Sequence, residues 1–194
     1  MVGVGSDYQN ALVETEIGEM SQIIYRKIKI ESHPVRVVYS EKWTPIKLQQ
    51  GSPTIEEFVA DPAQHANAGE PLDEDKILDI PIREPSYVVI ELDPQDGLRF
   101  NPNRAGITLG KYFAGDEDLA GKLYSSPKYV GVTGMIAEEP MEGCRMLFFP
   151  TVPFSKHRPD VTSYNQPLNF HVIDAAGTPL TIDPDVRYPG NGGN

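Results

Sequence analysis

Glycine and proline divide this chain into short segments in which polar and apolar residues alternate. The 194 residues include 17 glycines and 18 prolines, and both residue types interrupt regular structure where the chain turns. Within Gln22–Glu31 the residues Ile24, Ile28 and Ile30 share one side of an extended chain, with Arg26 as the exception on that side. A period of two is typical of β-strands, so the sequence predicts a protein built of many short strands.

The same pattern recurs to the end of the chain and predicts the fold class. Further strand-like runs lie at 35–39, 43–49, 86–93, 98–100, 107–109, 128–136, 143–149, 167–174 and 179–183. We therefore expect an all-β fold, an antiparallel two-sheet β-sandwich of immunoglobulin-like or jelly-roll-like type with long loops and at most short helices. Residues 86–93 and 98–100 are expected to form one hairpin, with Asp93 and Asp96 as turn formers.

The length of the chain suits one domain, and nothing near its middle has the composition of a linker. We predict an N-terminal arm over 1–20, a single β-sandwich domain over 21–185 and a flexible, glycine-rich C-terminal tail over 186–194. Within the arm, residues 7–16 have the pattern of about two helical turns with Asp7 as the cap.

Acidic residues are concentrated in one part of the chain. The net charge is −11, and the stretch from Glu56 to Asp79 contains eight acids against a single base, Lys76. We expect a short helix through Phe58 and Val59, followed by a solvated acidic loop. The alternatives are a docking surface for a basic partner or a weak calcium site. Such acidity disfavours nucleic acid and anionic membranes as partners.

The expected compartment is the cytoplasm. No stretch has the length of a transmembrane helix, and the first basic residue is Arg26, so the N-terminus lacks the pattern of a secretory signal. Cys144 is the single cysteine and lies in an apolar run, which favours a buried structural thiol. A secreted protein that had already lost its signal would have the same kind of N-terminus.

The sequence contains no recognisable catalytic, cofactor or metal motif. Residues 106–112 superficially resemble a phosphate-binding loop, but the spacing between the glycines is one residue short and Tyr112 replaces the expected hydroxyl ligand. The four histidines are too widely spaced for a helical zinc site, so we expect no cofactor and no metal. His171 and Asp174 should face opposite sides of a strand, which places His171 toward water or a partner.

One segment, 146–170, combines aromatic residues, prolines and a compact basic run. Stiff aromatic loops make efficient recognition surfaces because little entropy is lost on binding. The alternative is structural, with Phe148 in the core and the loop covering one end of the sandwich. The residues predicted to make interactions are Phe149, Phe154, Lys156, His157, Arg158 and Tyr164.

These observations favour a non-enzymatic structural or self-assembling protein that contacts copies of itself or another protein. One alternative is a module that binds a carbohydrate or another small molecule, with Trp43, Tyr112 or the aromatic loop as stacking platforms. The other is an enzyme with a dispersed site in which His157 or His171 lies beside a carboxylate.

The end of the chain shows a loose likeness to a known group of proteins. The run Ile182-Asp183-Pro184-Asp185 before the glycine-rich tail is loosely similar to bacterial inclusion-body-type sandwich proteins. The likeness covers only that end, and no residue role is taken from it.

Overall fold

The computed structural model describes residues 20–31, 37–67, 70–75, 78–109, 126–153, 163–182 and 185–189. These residues form mostly strands in two sheets, with only two short α-helices and a 3₁₀ turn. The prediction of an all-β fold is therefore confirmed, and the helices in the described part of the chain are short. The elements are β1 (Gln22–Glu31), β2 (Val37–Trp43), β3 (Ile46–Lys47), α1 (Ile55–Ala60), α2 (Pro62–Ala66), β4 (Pro71–Asp75), β5 (Asp79–Pro81), β6 (Ser86–Leu92), β7 (Arg99–Phe100), β8 (Ile107–Leu109), β9 (Lys128–Val130), β10 (Ile136–Ala137), β11 (Met146–Thr151), β12 (Ser163–Ile173), β13 (Pro179–Ile182) and β14 (Asp185–Pro189).

The two sheets have eight and six strands. The larger sheet has the order β10-β9-β11-β6-β1-β2-β4, and β3 pairs with β1 beside β2. The smaller sheet has the order β13-β12-β14-β5, and β7 and β8 also pair with β12. The long strand β12 thus pairs with most strands of the smaller sheet, while β6 and β1 are the central strands of the larger one.

Both sheets are mixed, so the expectation of purely antiparallel sheets was wrong. β1 runs parallel to β6, with Ile24 opposite Val88 and Ile28 opposite Leu92. β14 runs parallel to β5. Parallel neighbours need a long crossover connection. For β1 and β6 that connection contains β2 to β5 and both helices. The sequence pattern predicted strands on either side of this connection but not that they pair with each other.

A shared apolar cluster packs the two sheets together. Phe100 and Phe170 of the smaller sheet meet edge to face with ring centroids 6.4 Å apart, a favourable arrangement for aromatic rings. The cluster includes Ile24, Ile28, Val88, Ile90, Leu92, Leu147 and Phe149 from the larger sheet and Ile80, Phe100, Ile107, Leu168, Phe170, Val172 and Ile182 from the smaller one.

The opposite face of the larger sheet is covered by the two helices. Thr54 caps α1 in a reciprocal capping box with Glu57, which fixes where the helix begins. The predicted short helix through Phe58 and Val59 is therefore confirmed. A second cluster joins Ile23, Tyr25, Val89, Val130 and Phe148 of the sheet to Ile55, Phe58, Val59 and Ala66 of the helices. The first half of β1 is consequently buried on both faces, whereas its alternation indicated one apolar side.

The acidic stretch is more ordered than the solvated loop that we expected. After α2, strand β4 pairs with β2 at the edge of the larger sheet, with Asp73 opposite Lys42. Lys29 Nζ lies 2.9 Å from Glu41 and 3.6 Å from Glu74. These cations offset part of the acidic charge, and an exposed edge strand rich in charged residues resists unwanted pairing.

Residues 86–93 and 98–100 do not form the expected hairpin, because β6 and β7 belong to different sheets. The turn between them begins at Asp93, whose side chain accepts a hydrogen bond from Gln95 N at 2.9 Å, and ends at Gly97 with φ of 66°. Asp96 accepts from Ile30 N at 2.7 Å. Both aspartates are thus turn residues as predicted, but the turn carries the chain from one sheet to the other.

Several predicted segments lie wholly or partly outside the described residues. They include the N-terminal arm before Met20, together with the helical turns expected over 7–16 within it. At the other end, β14 reaches Pro189 and so occupies part of the predicted tail. No helix among the described residues has the length and apolar character needed to cross a membrane.

Replacing Gly106 with alanine should destabilise the protein. A Cβ at this position would lie 2.6 Å from Cε1 of Tyr129 and 3.1 Å from Cδ1 of Phe100, and overpacking of this kind costs about 1–3 kcal/mol. Gly131→Ala is the control, because its nearest neighbour, at 3.0 Å, is the flexible end of Met141. Urea unfolding of both variants measures the effect. A loss at Gly106 no larger than that at Gly131 would contradict this packing.

Candidate functional site

A cleft of about 330 Å³ opens on the helix-covered face of the larger sheet. It lies where β6, β9 and β11 end or begin, beside the end of α1 and the start of α2. Pockets of this size are at the lower end of the range that binds small ligands or inserted side chains. Its walls are formed by Val59, Ala60, Pro62, Glu91, Pro94, Val130, Gly131, Val132, Gly134, Gly143, Arg145 and Met146.

Two charged side chains, Glu91 and Arg145, lie in the otherwise apolar wall. The hydroxyl of Tyr25 donates a hydrogen bond to Glu91. Burial raises the pKa of Tyr25 well above its usual value, and the negative charge of Glu91 adds to the effect, so the phenol remains a donor at neutral pH. Arg145 is exposed. Within the described part of the chain, neither Glu91 nor Arg145 has an oppositely charged group within 4.0 Å.

The hairpin of β9 and β10 forms one wall of the cleft and projects beyond it. Gly131 N donates to Met135 O at 2.8 Å, and Gly134 N donates to Gly131 O at 2.9 Å. Gly134 has φ of 80°, a conformation that favours glycine at this tight turn. The turn presents Val132 with 79% and Met135 with 59% of their surface exposed. Large apolar side chains held this far in solvent mark an interaction surface when they are grouped.

The chemistry of the wall is suited to binding. Among the described residues that line the cleft, Glu91 is the only side chain of a type that acts as a nucleophile or general base. Its described lining residues offer apolar side chains together with one charged acceptor, Glu91, and one charged donor, Arg145. That combination fits an apolar side chain accompanied by charged neighbours, as at the centre and rim of a protein interface.

The interaction residues predicted from the sequence are distributed differently. Phe149 lies in the core between the sheets and is fully buried, and Phe148 packs in the cluster beneath the helices. Tyr164 belongs to β12. Phe154, Lys156, His157 and Arg158 lie outside the described residues. Phe149 therefore lies away from the cleft, in the cluster between the sheets.

The strand position of His171 suggested that it faces water or a partner. In the structure the residue is only 6% exposed. The loop between β7 and β8 covers it. Asn101 N donates to His171 O, and His171 N donates to Gly106 O. The Nε2 atom lies 2.6 Å from Thr108 Oγ1 and 3.3 Å from Arg104 Nη2. Because a guanidinium only donates, this contact requires an unprotonated Nε2. His171 thus anchors the loop.

The residues that line the cleft were not identified from the sequence. Val132 and Met135 lie in the run Gly131-Val132-Thr133-Gly134-Met135. Apolar residues in a glycine-rich turn were the sequence feature that could have indicated an exposed contact surface here. Glu91 carried no such signal, because its role depends on residues distant in sequence. Trp43, considered as a stacking platform, is partly buried and packs against Tyr25 with ring centroids 5.9 Å apart.

Comparison with models of known protein families and with curated proteins finds no match for this chain.

Stability should fall as the pH rises above about 10. Burial raises the pKa of Tyr25, Tyr129 and Tyr87, so folding favours their neutral forms. Their contribution is complete below the unfolded pKa of about 10 and is lost as the pH rises above it. Urea unfolding between pH 8 and 11 measures the decline, which Tyr25→Phe should make shallower. An equal slope in Tyr25→Phe and wild type would contradict the burial of this phenol.

Proposed function

We propose that this protein acts through protein–protein contacts, as a non-enzymatic structural or self-assembling β-protein. The observation that supports the proposal is the position of exposed apolar side chains beside an apolar cleft. Val132 and Met135 are exposed in the hairpin beside the cleft, and Val132 is itself one of the residues that line it. Neighbouring exposed apolar side chains beside an apolar cleft are typical of an interaction surface, and an interface would bury them.

The proposed partner is a second copy of the chain. A two-fold interface uses the same patch on both subunits, so that patch must be complementary to itself. A patch that carries a projecting tip next to a cleft of the same apolar character meets this requirement. The tip of each copy would enter the cleft of the other. Val132 and Met135 would then be buried together with the wall residues Val130 and Met146.

The charges of the cleft support the same arrangement. Glu91 and Arg145 line one cleft, yet among the described residues they do not pair with each other within 4.0 Å. In a two-fold complex Glu91 can meet Arg145 of the partner subunit, and this contact occurs twice. Opposite charges placed in this way fix the register of an interface more than they add affinity.

We further propose that the two sheets form a β-sandwich, related in type to immunoglobulin-like or jelly-roll-like folds, although the strand order given above is mixed. Support comes from the apolar cluster that residues of both sheets share, since packed sheets bury a common core. A cytoplasmic location belongs to the same proposal and rests on the single cysteine, Cys144, which is free and buried.

Replacing Val132 with aspartate should prevent self-association. A carboxylate at the tip would lose water on entering the cleft and would replace the apolar contacts of Val132, which is costly. Light scattering coupled to size-exclusion chromatography, over a range of protein concentrations, should show dimers of the wild type and monomers of Val132→Asp. The control is Leu72→Asp, because Leu72 is similarly exposed at 62% but lies on β4 at the far edge of the sheet. A wild type that is monomeric at every concentration would exclude this function.

The charge arrangement has its own test. Arg145→Glu should weaken the dimer at least tenfold, because it places like charges opposite each other twice. The double variant Glu91→Lys, Arg145→Glu should recover part of that affinity, since the pairs are restored with reversed signs. Sedimentation equilibrium gives the dissociation constants. If the double variant is weaker than Arg145→Glu alone, Glu91 and Arg145 do not meet across the interface.

A further inference from the structure

Methionine is concentrated around the hairpin of β9 and β10 and the adjoining cleft. Three of the five methionines of the chain lie there. Met135 is in the turn between the two strands, Met141 is in the loop that follows β10, and Met146 begins β11 and lines the cleft. Methionine side chains adapt their shape to the surface that they meet, and they are frequent at binding surfaces. The surface proposed for self-association therefore carries oxidisable sulfur.

The three methionine side chains differ in their access to solvent. Met135 is 59% exposed. Its backbone oxygen accepts a hydrogen bond from Gly131 N at 2.8 Å, which fixes the turn that presents the side chain. Met141 and Met146 are half-buried and pack against the two apolar clusters. A small oxidant in water therefore reaches the thioether of Met135 before those of the other two.

The cysteine of the chain does not compete for such an oxidant. Cys144 is fully buried, and its Sγ lies 3.4 Å from Val130 O and 3.2 Å from Met146 O. Burial raises the pKa of this thiol, so it stays protonated near neutral pH, whereas the thiolate is the form that oxidants attack. Met135 is consequently the most accessible sulfur among the residues that the structure describes.

We propose that Met135 is a reversible oxidation site through which peroxides switch off the self-association, so this inference rests on the proposed function. Hydrogen peroxide transfers one oxygen atom to Sδ of Met135. The O–O bond breaks, an S–O bond forms, the sulfur loses two electrons, and the peroxide is reduced to water. Methionine sulfoxide reductases return the sulfoxide to the thioether, with a dithiol as the reductant that becomes a disulfide while water leaves.

The sulfoxide makes the side chain polar at the point of contact. In the proposed dimer the tip of one copy enters a cleft whose wall includes the apolar side chains of Val59, Val130 and Met146. The sulfoxide oxygen would lose its bound water on entering that cleft, which weakens association. Association in turn removes Met135 from solvent. Oxidation therefore takes place in the monomer, and the oxidised monomer associates less readily.

The first test compares the dissociation constant of the dimer before and after treatment with limiting hydrogen peroxide. Peptide mass spectrometry confirms the sulfoxide at Met135, and sedimentation equilibrium gives the constant. Oxidation should weaken the wild-type dimer about tenfold or more, and methionine sulfoxide reductases should restore it. In Met135→Leu the two constants should be equal, because leucine is not oxidised. Met20→Leu is the matched control and should respond to peroxide as the wild type does, because Met20 precedes β1 and does not line the cleft.

The second test measures the rate of oxidation at Met135 over a range of protein concentrations. Because association covers Met135, the rate should fall as the concentration rises through the dissociation constant, while the rate at Met20 stays the same. Urea unfolding of the oxidised protein should give the free energy of the reduced protein, since a change in an exposed side chain has little effect on stability. This measurement separates a loss of association from a loss of folding.

The outcomes distinguish this inference from the proposed function. An oxidised wild type that associates as tightly as the reduced protein would overturn the switch and leave self-association standing. Equal sensitivity to peroxide in Met135→Leu and the wild type would assign the effect to another residue and would overturn the switch as well. A wild type that is monomeric at every concentration, with a rate of oxidation at Met135 that does not depend on concentration, would refute self-association and the switch with it.

Discussion

The parallel pairing of β1 with β6 is the interaction on which the rest of the structure depends. The two strands lie at the centre of the larger sheet, and together they contribute buried side chains to both apolar clusters. Strands covered on both faces read as nearly continuous apolar runs, as in Val88, Val89 and Ile90. One face of this strand pair packs against the smaller sheet, and the other face packs against α1 and α2. Removing the pairing would therefore separate all three layers.

The candidate sites follow from the same arrangement. The helices cover only part of the outer face, and the cleft opens where they end, beside Glu91 near the end of β6. Tyr25 lies on the neighbouring strand and places its hydroxyl on that carboxylate. Arg26, the next residue, points to the opposite face, and its Nη1 donates to the backbone oxygen of Tyr25. Adjacent residues of one strand thus serve two distinct surfaces, because side chains alternate across a sheet.

Local pattern was sufficient to predict many of the elements but not how they pair. Alternation predicted β1 and β8, and the order of residues near Phe58 predicted α1, because these signals lie within a few residues. The path of the chain after Asp93 could not be predicted from such local signals. The turn chemistry of Asp93 and Gly97 is compatible with a hairpin, and only the distant pairing of β7 with β12 decides against one. The cleft could not be predicted from the sequence for the same reason, because its lining residues are spread between Val59 and Met146 of the chain. The burial of His171 likewise depends on a loop more than sixty residues earlier in the chain.

The most direct test of this account is native-state hydrogen exchange. The amides of β1 and β6 between Ile23 and Ile28 and between Val88 and Leu92 should exchange only through global unfolding, and their protection should follow the free energy of unfolding measured in urea. The edge strands β4 and β10 should open at much lower cost. If the amides of β1 and β6 exchanged as fast as those of the edge strands, or faster than those of β12, the central parallel pair would not be what holds the layers together.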